Sequence, residues 1–316
     1  TKENFPSGTI RFKTVNAMGL ISDFSMVTDG YGSYIDVEDV GSKGVHVDHH
    51  NIIMIPRDSA TGHFYVMNAN DGGIAFSTDN GTTFRQTGDS FNNGSASTIS
   101  GYNTSQFYGV DKKNGENRFI GGTQDNGSWL SPSEPNESSA WVDAPSGDGF
   151  ECAWHYNNPN LILETSQFNN LFKSYDEGES WVNINLPESE GPFVTRLASS
   201  QLNPDLIFMV SDSGLLRSDD FAETWEIIEM PPFWTFHGSY GAPTAISLAD
   251  PNIVWSGSQL SSTSRICYST DAGLTFETAR NLTAANPGTL TGITTHPSDS
   301  NTAYALFSQR GAPKVL

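Results

Sequence analysis

Three aspartates sit in polar, glycine-rich segments of this 316-residue chain: Asp71 in "NANDGG", Asp125 in "GGTQDNGS" and Asp148 in "APSGDGF". Two carboxyl groups flanking a glycosidic bond are what sugar hydrolysis needs. One is protonated to assist the leaving oxygen, and the other is ionised to activate water or attack. Aspartate beside Gly or Asn is also a common turn former, so each of the three has a structural reading next to the chemical one. A second constellation is "HVDHH", where His46, Asp48 and His50 would share one face of an extended segment at period two. With Asp71 they could hold zinc or another divalent metal, and the alternative is that the histidines cap or pack a neighbouring loop. Asp and Asn side chains with loop carbonyls would equally suit Ca2+, and no cofactor is required by either reading.

The elements that must position these residues are short and apolar, bounded by turn residues. The longest apolar stretches are pieces such as "NIIMIP" and "LIFMV", far below the roughly 18 residues that a membrane-spanning helix needs. Thirty-six acidic against sixteen basic side chains give a formal charge of -20, which repels phosphate backbones and anionic lipid. Nucleic acid is therefore excluded as a partner, while solubility and cation binding are both served. The two cysteines, Cys152 and Cys267, exclude a disulfide framework and a thiolate zinc cluster. Two buried free thiols are the expectation.

One short motif recurs. "STDNGTTF" (77–84), "SYDEGESW" (174–181), "SDDFAETW" (218–225) and "STDAGLTF" (269–276) fit Ser-x-Asp-x-x-x-Thr/Ser-Phe/Trp, and "SPSEPNESSAW" (131–141) is an eroded copy. Their aromatic ends, Phe84, Trp141, Trp181, Trp225 and Phe276, are separated by 57, 40, 44 and 51 residues, the length of a four-stranded blade. Before each box come an apolar run, a Pro/Asn/Asp turn, a second apolar run and a Gly or Ser loop. Each unit thus reads as four β runs, a to d, with the box as the c–d turn and no helical period. Such sheets cannot bury both faces alone and must stack about an axis. The expected fold is all-β: a β-propeller of four-stranded antiparallel blades, about six or seven of them or part of a larger propeller. Residues 45–316 would form it, stopping within the last blade, and residues 1–44 would be a partial blade or connecting strands.

The boxes resemble the Asp-box, or bacterial neuraminidase repeat, of sialidases, sortilin-type receptors and xyloglucan-specific endoglucanases. The resemblance covers about residues 45–316 and implies architecture more than one reaction. "NANDGGIAF" is similar to the inner-blade segment that carries one catalytic aspartate in the xyloglucanases. That implies Asp71 as one member of an acid/base pair, with Asp125 or Asp148 as the other. Sialidase activity is not expected, because an Arg-Ile-Pro motif before the boxes is missing and the nearest string, "MIPRD" at 54–58, has its arginine on the wrong side.

Strand parity then separates two faces. The a–b and c–d turns share one, and the b–c and d–a loops share the other. The box residues Asp79, Asp176, Asp220 and Asp271, with Phe84, Trp181, Trp225 and Phe276, are expected to hold turns and pack between sheets. The opposite face gathers amides, hydroxyls and aromatics suited to sugar hydroxyls and ring faces: Asn70, Gln124, Gln167, Gln259, and Trp234, His237 and Tyr240 of "PPFWTFHGSYGAP". The expected function is a secreted or cell-surface module binding polysaccharide or an extracellular or cell-surface protein through this face. A glycoside hydrolase resembling the xyloglucanases is the alternative.

Overall fold

Short β-branched and aromatic runs, cut by Asn, Asp, Pro and Gly, give strands and no α-helix among the described residues. The computed structural model describes residues 10–15, 21–26, 48–71, 73–86, 106–136, 139–145, 147–188, 191–235, 240–260, 265–279 and 288–308. Contacts divide the chain into two units, Thr1–Ser105 and Gln106–Leu316.

In the first unit β1 (Ile10–Val15) pairs antiparallel with β2 (Ile21–Met26). A four-stranded antiparallel meander follows: β3 (His49–Asp58), β4 (His63–Asn70), β5 (Gly73–Ser77) and β6 (Arg85–Gln86). The second unit repeats that meander four times. The first is β7 (Phe107–Lys112), β8 (Phe119–Thr123), β9 (Gly127–Leu130) and β10 (Val142–Ala144), and the next is β11 (Cys152–Trp154), β12 (Ile162–Thr165), β13 (Leu171–Ser174) and β14 (Val182–Ile184). Then come β15 (Leu197–Ala198), β16 (Ile207–Val210), β17 (Leu215–Ser218) and β18 (Glu226–Ile228). The last uses β19 (Thr244–Ile246), β20 (Val254–Ser256), β22 (Cys267–Ser269) and β23 (Glu277–Thr278). The intervening β21 (Gln259–Leu260) leaves that sheet to pair with β24 (Gly288–Thr295), which pairs with β25 (Ala303–Phe307). Within this unit, first strands neighbour one another across sheets: β7 with β11, and β19 with both β15 and β24.

The third connection of four of the five meanders carries the same hydrogen-bond device. In the first, Ser77 Oγ donates to Asp79 Oδ1 at 2.7 Å and accepts the Gly81 N–H, while Asp79 accepts the Thr83 N–H at 2.9 Å and the Thr83 hydroxyl at 2.7 Å. Ser174/Asp176/Ser180, Ser218/Asp220/Thr224 and Ser269/Asp271/Thr275 repeat it. The residue three after the serine takes positive φ in every copy: Asn80 62°, Glu177 59°, Phe221 53° and Ala272 57°. That twist aims its N–H at the a–b turn, so Glu177 donates to the Asn160 carbonyl, Phe221 to that of Asp205 and Ala272 to that of Asn252. The eroded copy lacks the aspartate but keeps this clamp: Glu134, at φ 49°, donates to the Asn117 carbonyl.

The carbonyl of the same residue receives a cation from the preceding sheet. Arg118 reaches Glu177, Lys173 reaches Phe221 and Arg217 reaches Ala272. Apolar residues close the seams above these links. Trp181 packs on Ile120, Leu130, Trp154 and Ile162, and Trp225 on a cluster that includes Leu163, Leu171, Ile207 and Met209. Phe276 joins the cluster of Leu206, Phe208, Val210 and Val254, and buried Phe84 packs with Val66 and Ala75. Cys152 and Cys267 are both buried and free.

Partial burial opposes ionisation of Asp79, yet the hydrogen bonds from Thr83, Ser77 and Thr82 outweigh it and hold the carboxyl at about 2. Those from Ser180 lower Asp176, and hydrogen bonding likewise overcomes partial burial at Asp220 and Asp271. A folded-state pKa below the ordinary 3.8 stabilises the fold above that value, and the contribution disappears as pH falls toward 2. Resistance to urea is therefore expected to fall as pH drops through that window. Asp220→Ala should cost about 1–3 kcal/mol at neutral pH and make the acid loss shallower, and an unchanged urea midpoint would contradict this.

Candidate functional site

In the second unit the loops opposite the Ser-x-Asp turns lock into one another. The β8–β9 loop places Asp125 at φ 65°, and its N–H donates to Asp148 Oδ1 at 3.0 Å. The Asp148 N–H donates in turn to Gln167 Oε1 at 2.8 Å, in the β12–β13 loop. The Tyr108 hydroxyl donates to Gln124 Oε1 at 2.8 Å. Two further backbone bonds carry the β10–β11 segment across: Gly149 N–H to the Thr123 carbonyl and Phe150 N–H to that of Thr165. Gly122 permits this crossing, because a Cβ there would lie 2.2 Å from the Phe150 carbonyl oxygen.

A row of rings runs along the same loops. Tyr108 meets Phe150 edge to face at 5.1 Å, Phe150 meets Phe193 at 5.6 Å, and Phe193 meets Phe168 at 5.5 Å. Phe150 is wholly buried, whereas Phe168 is 54% exposed. Phe168 and Asn169 both adopt left-handed backbone, at φ 59° and 60°. The Asn169 side chain holds that conformation by donating to the Val210 carbonyl at 2.8 Å, and its N–H donates to Thr195 Oγ1.

Beside the rings lies a charged pair. Arg196 Nη1 stands 3.4 Å from Glu151 Oε1, and Arg196 Nε donates to the Tyr240 carbonyl at 3.0 Å. Burial pushes the Glu151 carboxyl up, and the Arg196 charge pulls only partly against it. Burial also raises the Tyr108 phenol, as do Tyr240, Asp125 and Asp148, against Arg196. Amides, a guanidinium, a half-buried acid and exposed ring faces thus converge on one rim.

Of the residues the sequence singles out here, Gln124, Asp125, Asp148, Gln167 and Tyr240 join this cluster. Trp234 lies elsewhere, its indole N–H donating to Ser256 Oγ at 3.0 Å. His46 and His237 lie outside the described residues, as does the Gln259 side chain, whose backbone belongs to β21. Asp125 and Asp148 meet as backbone donor and carboxylate acceptor, an arrangement that shapes the loop. Glu151 was not among the residues the sequence singles out. Its only signal was its place directly before the strand that "GDGF" leads into.

In the first unit the His50 ring contacts the Asp71 carboxylate, while His49 pairs with Asn68 Oδ1 at 2.8 Å, which also accepts from Asn70 Nδ2. The expected period-two segment through Asp48 does not form. Asp48 has φ 57°, the strand begins at His49, and a bulge interrupts pairing between His49 and Asn51.

No protein-family description and no curated relative matches the sequence. Solved structures do match: a crystal structure of an ancestral GH74 enzyme superposes over 86% of this chain at TM-score 0.51 and 16% identity. The fold is a β-propeller. A GH74 enzyme of Niastella koreensis covers 85% of the propeller chain at TM-score 0.48 and 16% identity, and YCF48 from Cyanidioschyzon merolae covers 64% at TM-score 0.44 and 12% identity. The propeller chain spans 35% of the length of each GH74 structure and 64% of the YCF48 chain. No helix among its described residues is long and apolar enough to cross a membrane.

Behind the rim lies Glu164, fully buried, accepting from Ser128 Oγ at 2.5 Å, with Oε2 lacking a hydrogen-bond partner among the described residues. Burial raises its carboxyl to about 8, Ser128 opposing and Asp143 reinforcing. A folded-state pKa above the ordinary 4.5 keeps the group protonated, and stability declines as pH rises from there through 8. Glu164→Gln should therefore raise the urea midpoint at pH 8 and change it little at pH 5. A variant weaker at both would refute the buried neutral acid.

Proposed function

We propose that this chain is an Asp-box β-propeller that works outside the cell or at its surface, binding polysaccharide through its loop face. The observation that carries the reading is the row Tyr108–Phe150–Phe193–Phe168, ending in an exposed ring and flanked by Gln124, Gln167 and the Glu151–Arg196 pair. Sugar C–H faces stack on such rings, while the hydroxyls need paired donors and acceptors of this kind. The surplus of acid favours neutral or cationic chains over anionic ones. Gel-retardation electrophoresis against soluble plant and algal polysaccharides tests it. Phe168→Ala and Tyr240→Ala should each weaken retention about tenfold, the scale of losing a binding hot spot. Retention unaltered by both, or by none of the polysaccharides in the parent, would sink the proposal.

A second reading, a glycoside hydrolase, is favoured by the raised carboxyl of Glu151, the property of an acid that protonates a leaving group. In that reading Glu151 joins Asp71, Asp125 and Asp148 as a candidate acid or base, and the enzymatic nature of the ancestral GH74 structure is in keeping with it. New reducing ends released by the parent and not by Asp71→Asn would establish hydrolysis. A divalent ion such as Zn2+ belongs to this proposal through the His50–Asp71 contact. It should raise the melting temperature of the parent and not that of Asp71→Asn.

A further inference from the structure

A separate groove of about 490 Å³ opens between the β16–β17 loop and the segment after β18, lined by Asp212, Ser213, Glu229, Met230, Pro231, Pro232, Trp234 and Thr235. That volume exceeds one amino-acid side chain and lies within the usual range for organic ligands. Its lining has two parts. Met230, the two prolines and Trp234 give an apolar wall, and Met230 and Trp234 are anchored against the buried cluster of Leu206, Phe208 and Val254. Because the indole N–H is already taken by Ser256, what Trp234 offers a ligand is its carbon surface.

The other part is acidic. Asp212 and Glu229 line the groove, and neither side chain has a hydrogen bond or ion pair among the described residues. A third carboxylate, Glu188, is tethered behind them by Ser211 Oγ at 2.8 Å and Ser213 Oγ at 2.7 Å. Among the described residues no lysine or arginine lines the cavity. Elsewhere in the unit the carboxylates at sheet seams are matched with cations, as Glu177 is by Lys113 and Arg118, and Glu223 by Lys173. Here the charge is left for something else to match.

We propose that this groove binds a basic polypeptide segment, taking a lysine or arginine with its aliphatic stem along Met230, the prolines and Trp234, and its cationic head between Asp212 and Glu229. Both halves of the lining are then used: long basic side chains cover apolar surface with the stem while the head meets charge, and an indole face attracts cations. A bare metal ion would leave the apolar wall unused, and a neutral sugar would leave two carboxylate charges uncompensated. This site is independent of the polysaccharide reading, since it shares no residue with the rim of rings.

The test uses fluorescence anisotropy with the full chain and a labelled octapeptide of alternating lysine and proline at low ionic strength. Saturable binding that weakens with salt is expected. The double variant D212N/E229Q should weaken it about fivefold or more, the combined scale of two exposed ion pairs. The control E179Q/E277Q removes the same charge outside the groove and should stay within about twofold of the parent. Polysaccharide retention should be unchanged in D212N/E229Q, so failure of either reading is seen apart from the other. The proposal is overturned if the lysine peptide does not bind or if norleucine in place of lysine binds as well. It is also overturned if the control double weakens binding equally, or if spermidine displaces the peptide at the concentrations where unlabelled peptide does.

Discussion

The joints of this propeller depend on a left-handed residue, framed in four of the five meanders by a carboxylate that accepts hydrogen bonds from a serine two residues before it and a hydroxyl residue four after it. That residue directly follows the carboxylate position, and as Glu177, Phe221 and Ala272 it is a double connector. Its N–H holds the a–b turn of its own sheet, and its carbonyl takes a lysine or arginine from the sheet before. One turn thus closes a blade and couples it to its neighbour. The eroded connection at residues 131–141 shows which part is indispensable. The aspartate is replaced by Ser133, yet Glu134 keeps the left-handed conformation and the bond to Asn117.

With the fastening confined to one end of each sheet, the other end is released for loops of varied length. In the second unit those loops are joined by side chains and crossing backbone rather than by a repeated device. Asp125, Asp148 and Gln167 form a relay over three successive connections, and Gly122 makes room where the chain passes. The polar rim is consequently a product of loop sequence, whereas the scaffold is a product of the repeat.

That division explains what the sequence discloses. Box spacing, Pro-containing a–b turns and strand parity are local patterns, and they were sufficient for the meanders, the turn networks and the two faces. The Glu151–Arg196 pair joins residues on successive sheets, and no local pattern announces a contact across that separation. Gln259 and Leu260 read as loop because their pairing partner, β24, lies two strands further along the sequence, beyond β22 and β23. The alternation in "HVDHH" pointed to a continuous strand, but a left-handed residue and a bulge are decided by hydrogen bonding that the sequence does not display. Phe168 was hidden for a related reason. A bulky side chain at positive φ runs against residue preference, and only the surrounding bonds of Asn169 and Thr195 make it tenable.

The left-handed Phe168 has a kinetic side. A ring on an ordinary mobile loop must be ordered each time a ligand arrives, and that entropy is subtracted from affinity at every encounter. Here the folded chain has already fixed the backbone beneath the ring, through bonds to the next sheet. The surface is preorganised: a ligand meets it by simple collision, and differences between ligands should appear mainly in how long each one stays.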